Sequence, residues 1–319
     1  MAFLETQFGL KGKTAVITGG GGTDSVWCDS TDLLTDGTAA EAAAGNIHRI
    51  ASFYQPYTGN ANLAGYVSKE IAGQDLQDPV GDDYTRGWAN FADHPLFNGT
   101  PTYSDIRQGS VGDCYYVASL ASLADSDPDI IRQMMVSLGD GTYAVRFYRN
   151  NQEVYLRVDA DLPIYSGNSL SYAKLTPDGE IWVALAEKAY CYFRYGENSY
   201  ASIAGGWMST VYQEVTGKTA TTLWTGNSAA SVASSIAAAL AAGHAVTAGS
   251  YDSPPSPIFG GHAYEVKAIQ GTGDAAIVTV YNPWGYDGRG SDDNPSDGLI
   301  RLTMAQFQTC FSSFVVSGA

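Results

Sequence analysis

The sequence predicts an α+β fold: a core whose first part is helical, whose second part is an antiparallel β-sheet, and which has a cleft between the two. Three observations predict it. Apolar residues recur at helical spacing in three separate stretches. A run of short segments rich in β-branched and aromatic residues, separated by Gly, Asp and Pro, follows the last of them. No fixed-period repeat runs through the chain, which sets aside solenoid and propeller folds.

Residues 1–85 form an N-terminal segment rich in Gly, Ala, Thr and Asp, with a possible leader as its role. Within it, Thr38 to Ile50 predicts a helix, with Glu41 near its start and Arg49 near its end, as the helix dipole favours. Gly12-Lys13-Thr14-Ala15-Val16-Ile17-Thr18-Gly19-Gly20-Gly21-Gly22 imitates a dinucleotide-binding turn. Thr23 and Asp24 stand where that turn needs a further glycine, so it reads as a glycine loop.

Residues 86–206 are the predicted helical lobe. Cys114 to Ala124 is its first helix, with Val117, Leu120, Ala121 and Ala124 on one face and Asp113 as its N-cap. Trp182 to Tyr195 is the second, and Gly205-Gly206 break the chain. Residues 207–319 are the β-rich lobe. It opens with a helix over Ser231 to Ala242 that ends at Gly243, followed by strands at Ala245–Ser250, His262–Ile269, Ala275–Tyr281 and Leu299–Thr303.

Composition limits the function classes. Of 319 residues 45% are hydrophobic and 16% charged, so the chain is globular and not disordered. With 33 acidic against 17 basic residues the net charge is −16, which excludes a basic nucleic-acid footprint and adhesion to anionic membranes. No apolar run is long enough to span a bilayer, and Met1-Ala2-Phe3-Leu4-Glu5 shows no secretory signal. The expected location is the cytoplasm, or export without a cleaved signal. Cys28, Cys114, Cys191 and Cys310 are isolated, with no CxxC pairing, which argues against a zinc knuckle or a disulfide framework.

Four features carry chemistry. Gln108-Gly109-Ser110-Val111-Gly112-Asp113-Cys114 sets a thiol at the first turn of an apolar helix, where partial positive charge favours thiolate. Gly260-Gly261-His262-Ala263-Tyr264 opens a strand with a histidine. Tyr281-Asn282-Pro283-Trp284-Gly285 ends the next strand, and Gln108 precedes the thiol. Taken singly, each is unremarkable: a buried Cys is usually a small core residue, and Asn-Pro-Trp-Gly is a turn. Together they supply a nucleophile (Cys114), a proton carrier (His262), a tautomer-fixing amide (Asn282) and an oxyanion donor (Gln108).

At these residues the sequence resembles the calpain family of papain-like cysteine proteases. The resemblance is carried by Asp105 to Cys114 and the helix after it, Trp182 to Tyr190, Gly205-Gly206, His262-Ala263-Tyr264 and Asn282-Pro283-Trp284-Gly285, across about residues 86–319. It implies a papain-like two-lobed core of a bacterial type, without the family's β-sandwich and EF-hand additions in these residues. It further implies a cysteine endopeptidase that takes protein or peptide substrates, with Cys114, His262, Asn282 and Gln108 catalytic and Trp284 and Gly261 at the substrate. An acyl transferase on the same triad and a non-catalytic peptide-binding module are the alternatives. One departure stands beside the nucleophile: Tyr115 occupies the place where the family has Trp. Ca²⁺ is the cofactor the resemblance allows, with Asp105 and Glu187 as the first candidate ligands and Asp287, Asp292, Asp293 and Asp297 around a second site; the chemistry itself needs none.

Overall fold

The computed structural model describes residues 26–29, 47–50, 76–137, 141–288 and 294–318. In chain order the elements are β1 (Val26–Asp29), β2 (Ile47–Ile50), β3 (Gly87–Asn90), α1 (Cys114–Ser126), α2 (Pro128–Met134), β4 (Met135–Ser137), β5 (Thr142–Arg149), β6 (Gln152–Asp159), β7 (Asp161–Ser166) and β8 (Ser169–Leu170). There follow α3 (Trp182–Phe193), α4 (Met208–Thr216), β9 (Thr221–Trp224), α5 (Ala229–Ala241), β10 (Val246–Ser250), β11 (Ala263–Gln270), β12 (Ile277–Tyr281), β13 (Leu299–Thr303), α6 (Met304–Cys310) and β14 (Phe311–Val316). By contacts the chain divides into two compact units, one of residues 1–98, 132–171 and 179–202, the other of 99–131, 172–178 and 203–319.

The first unit holds more strand than the predicted helical first lobe. Residues 135–137 and 142–170 hold five strands, which with β3 form two antiparallel sheets ordered β4-β5-β6 and β3-β7-β8. The β5–β6 hairpin turns at Asn150 and Asn151, both left-handed (φ 53° and 60°), the pairing that matches strand twist in a two-residue turn. Helix α3 is buried along its whole length, polar Glu187 and Lys188 included. The Lys188 ammonium is neutralised at 2.6 Å by Asp159, itself wholly buried, and at 2.6 Å by Asp78. Burial outweighs that attraction at Asp78, whose carboxyl is pushed up to about 6. The helix expected at 38–50 is corrected at its end: Ile47–Ile50 is a strand paired antiparallel with Val26–Asp29, and 38–46 lie outside the described residues. The ladder meets the backbone needs of Ile47–Ile50 across strands where the expected helix would have met them locally. The glycine-rich stretch 12–22 also lies outside the described residues.

The second unit is built on one six-stranded antiparallel sheet, ordered β13-β12-β11-β10-β14-β9. The strands alternate, and each face has its own cover. Val246, Ala248, Tyr264, Val266, Val278, Val280, Ile300 and Leu302 join Val232, Ala233 and Ile236 of α5 and Phe307 of α6 in one apolar core. On the opposite face α1 lies across β10 and β11. Its first turn stands at Ala263 and its last at Glu265, two residues along the same strand face. Helix α1 is apolar on nearly every side, with Tyr115 to Ala124 all buried, so it sits in the interior and not at the surface. The predicted end of α5 is as expected: Gly243 just past it is left-handed (φ 75°), a conformation that favours glycine.

Candidate active site

Cys114, His262, Asn282, Gln108 and Trp284 all belong to the second unit. The loop before α1 is fixed at three points. The Gln108 N–H donates to the Pro283 carbonyl (2.8 Å), the Tyr281 hydroxyl donates to the Ile106 carbonyl (2.8 Å), and the Gly205 N–H donates to the Gly112 carbonyl (2.9 Å). Gly109 allows this path, because a Cβ there would run into the Tyr172 carbonyl. Gly285 is left-handed (φ 76°), with the Arg107 side chain 3.1 Å from where a Cβ would stand. The start of α1 is thus stitched to the loop that follows β12.

Near the Cys114 sulfur stand the backbone N–H groups of Ala263, of Tyr115 and of Cys114 itself. These favour thiolate, as the helix N-terminus predicts. Burial works against them and is larger, the Asp113 carboxylate adds repulsion, and the thiol is pushed up to about 11. Asp113 precedes the helix without capping it through its side chain. Its carboxylate accepts instead from Gln108, at 3.0 Å.

His262 is 8% exposed. Its backbone is held on both sides by Ser250, whose Oγ accepts the His262 N–H (2.9 Å) and whose N–H donates to the His262 carbonyl (2.9 Å). Nε2 lies 2.9 Å from Asn282 Oδ1. The amide of Asn282 is oriented by its other bonds: Nδ2 donates to the Tyr286 carbonyl (2.9 Å), and Oδ1 also accepts the Trp284 N–H (3.2 Å). With Oδ1 facing the ring, Nε2 carries the hydrogen and Nδ1 keeps a free lone pair. Burial pushes the imidazole down to about 4, against the Asn282 bond, which pulls the other way. The Trp284 indole lies over the ring, with centroids 4.6 Å apart.

Two predicted residues are engaged differently from the roles expected of them. Gln108 Nε2 donates to the Val111 carbonyl (2.8 Å) and to Asp113, so both its hydrogens point inward in this arrangement. Gly261 is a turn residue (φ 60°) whose N–H donates to the Tyr251 carbonyl (3.0 Å). Sequence reasoning missed Tyr264 beside the imidazole and Phe259 against the indole. For Tyr264 a signal was present: it follows His262 by two residues in an extended segment, the spacing that returns a side chain to the same face.

The candidate calcium ligands are placed as follows. Asp105 uses its carboxylate on Thr102, accepting the backbone N–H at 2.8 Å and the hydroxyl at 3.1 Å. Glu187 is buried within α3. Asp297 accepts from the Leu299 N–H (2.8 Å) and the Asn294 amide (3.0 Å); Asp287 is buried, and Asp292 and Asp293 lie outside the described residues. Among the described residues no three His, Cys, Asp or Glu side chains gather closely enough to hold a metal ion.

Comparison with known proteins agrees with this geometry. Residues 74–300 match the family model described as calpain family cysteine protease. The chain is 26% identical over 256 residues to the calpain-type cysteine protease DEK1 of Arabidopsis thaliana, covering 69% of this chain and 12% of that one. It is 28% identical over 217 residues to human calpain-9 (62% and 31%) and 27% identical over 254 residues to the human calpain-2 catalytic subunit (70% and 36%). The match therefore spans between about a tenth and about a third of those relatives' lengths. A family match over most of the core, on a chain that brings a helix-borne thiol to the residue after a hydrogen-bonded histidine, leads to one conclusion: this chain belongs to the calpain family of cysteine proteases.

Proposed function

We propose that the chain is a cysteine endopeptidase in which Cys114, His262 and Asn282 act as a triad on protein or peptide substrates. One observation carries the reading. The Cys114 sulfur sits on the N–H of the residue next to His262, while the far side of that imidazole is held by a buried asparagine under an indole.

The chemistry follows from the groups present. Cys114 Sγ attacks the scissile carbonyl carbon, and the thiol proton passes to His262 Nδ1. The imidazolium returns that proton to the leaving amine nitrogen as the C–N bond breaks, which leaves a thioester. Water, losing a proton to His262 Nδ1, attacks the thioester carbon; the C–S bond breaks, the acid departs, and the imidazolium proton returns to the sulfur to restore the thiol. Asn282 holds the ring in the tautomer that keeps Nδ1 available, and Trp284 keeps water from their hydrogen bond. The Cys114 N–H, at the start of α1, is one donor for the oxyanion. Gln108 supplies the other by turning its amide away from Val111 and Asp113. No step uses a metal.

The test is hydrolysis of a denatured protein such as casein. Cys114→Ala abolishes it, while a folded Cys114→Ala chain still binds the substrate. Retained hydrolysis by that variant would refute the reading. Product mass spectrometry with an added amine separates water from an amine as acceptor: transfer dominating over hydrolysis would make the chain an acyl transferase, and binding without turnover a peptide-binding module. No helix among the described residues is long and apolar enough to cross a membrane.

A further inference from the structure

The imidazole of His262 is enclosed by rings on two sides. Trp284 covers one, and Tyr264 meets the ring edge-on, with centroids 4.9 Å apart and planes at 86°. The indole does not hold itself there: Trp284 is only half-buried. What backs it is Phe259, whose ring meets the indole edge-on at 4.4 Å. Phe259 comes from the loop between β10 and β11, which is held at its ends through Ser250 and His262 and between them by the Tyr251 N–H on the Cys310 carbonyl and by Ile258 in the apolar core.

Two contacts decide where that ring goes. On its far side Phe259 lies against Gly288, where a Cβ would run into it. In its own backbone, the Phe259 N–H donates to the Tyr264 hydroxyl at 2.9 Å. Tyr264 is wholly buried in β11 and is itself braced by Phe311, with centroids 5.4 Å apart. The contacts form a closed circuit from the Tyr264 hydroxyl to the Phe259 backbone, from the Phe259 ring to the indole, from the indole to the imidazole, and from the imidazole back to the Tyr264 ring.

We propose that Tyr264 is a positioning residue: by accepting the Phe259 N–H it fixes the loop before His262, holds the Phe259 ring against Trp284, and so keeps the indole over the imidazole. The role rests on the reading of His262 as the proton carrier, and it extends that reading by naming what sets the dryness of the site. Among the described residues, burial and the Asn282 bond are what act on its titration. Loosening the cover admits water and moves that titration toward the ordinary histidine value.

The test uses the full chain with labelled histidine, followed by NMR against pH. The chain has four histidines, so His48, His94 and His244 serve as internal references. Tyr264→Phe keeps the ring against the imidazole and removes only the hydroxyl. It is expected to raise the His262 midpoint by about one pH unit and to lower kcat about fivefold, with KM unchanged. Phe259→Ala is expected to raise the midpoint at least as far. The double variant should match Phe259→Ala alone, because both changes cut the same chain of contacts. An unmoved midpoint in Tyr264→Phe, or midpoint changes that add in the double variant, would overturn the proposal. Should Tyr264→Phe fail to fold, an unmoved midpoint in Phe259→Ala overturns it equally. A wild-type chain that hydrolyses nothing would refute the proposed function and leave the titration to decide this proposal by itself.

Discussion

The protonation state of the resting site can be worked out from its surroundings. Cys114 is pushed up to about 11 and His262 down to about 4, both chiefly by burial. Between those values both groups are neutral. A gap of about seven pH units corresponds to roughly 10 kcal/mol against the thiolate–imidazolium pair before the two attract one another. Attraction between unit charges about 4 Å apart returns roughly 4 kcal/mol at the dielectric response typical of protein sites. The neutral pair therefore wins at rest, and the ion pair forms only when substrate adds to the stabilisation. Alkylation of Cys114 by iodoacetamide reads this directly, because the thiolate is the species that reacts. At pH 7 about one Cys114 in ten thousand is thiolate, against roughly one in a hundred for a thiol at the reference value of 9.0. The expected rate at Cys114 is thus about a hundredfold below that of the unfolded chain, with log rate rising by about one per pH unit toward pH 11. His262→Ala should leave the pH 7 rate within about threefold, since a neutral imidazole holds no charge over the sulfur. A plateau below pH 8, or a collapse of the rate in His262→Ala, would show a preformed ion pair and refute the reasoning.

Asp113→Asn keeps an acceptor for Gln108 but removes the negative charge that disfavours the thiolate; alkylation of Cys114 at pH 7 should speed up several-fold, measured beside wild type. His262 binds a proton more weakly folded than unfolded, so its contribution to stability is complete above about 6.5 and is lost as pH falls toward 4, by roughly 3 kcal/mol. Urea melts of His262→Gln against wild type at pH 7 and pH 4 should show that loss in wild type and not in the variant. Lys188→Met leaves Asp159 and Asp78 without their cation, a loss of about 3–5 kcal/mol at pH 7 that shrinks at pH 5 as the carboxyls take up protons; equal urea midpoints for variant and wild type would contradict it. Asp105 spends its carboxylate on the Thr102 N–H and hydroxyl, so casein hydrolysis is expected to persist in chelator.

How much of this was legible in the sequence depends on the range of the forces involved. Helix α1 and strand β13 stand where periodicity put them, since apolar spacing and short-range turn chemistry decide both. Strands β5 and β6 escaped the pattern for a physical reason. From Thr142 to Phe147 every residue is buried, so no in–out alternation shows, and the buried Arg146 interrupts the apolar run. The strand at Ile47–Ile50 depends on a partner some twenty residues away, whereas helix propensity is a local quantity.

The site divides along the same line. Which residues could take part was readable, because a nucleophile, base and amide each need a particular side chain on a particular element. Their energetics were not. The pull of the α1 N-terminus on the thiol is local and was anticipated; the larger push comes from burial that forms only when the chain folds around Cys114. Gln108 could be named from its place before Cys114, yet where its two hydrogens point depends on Asp113 and Val111. The His262 value likewise depends on burial, with an indole from beyond β12 lying over the ring. A catalytic motif states which groups can react, but their charge at rest is a property of what encloses them. At Cys114 that enclosure outweighs the pull of the helix N-terminus.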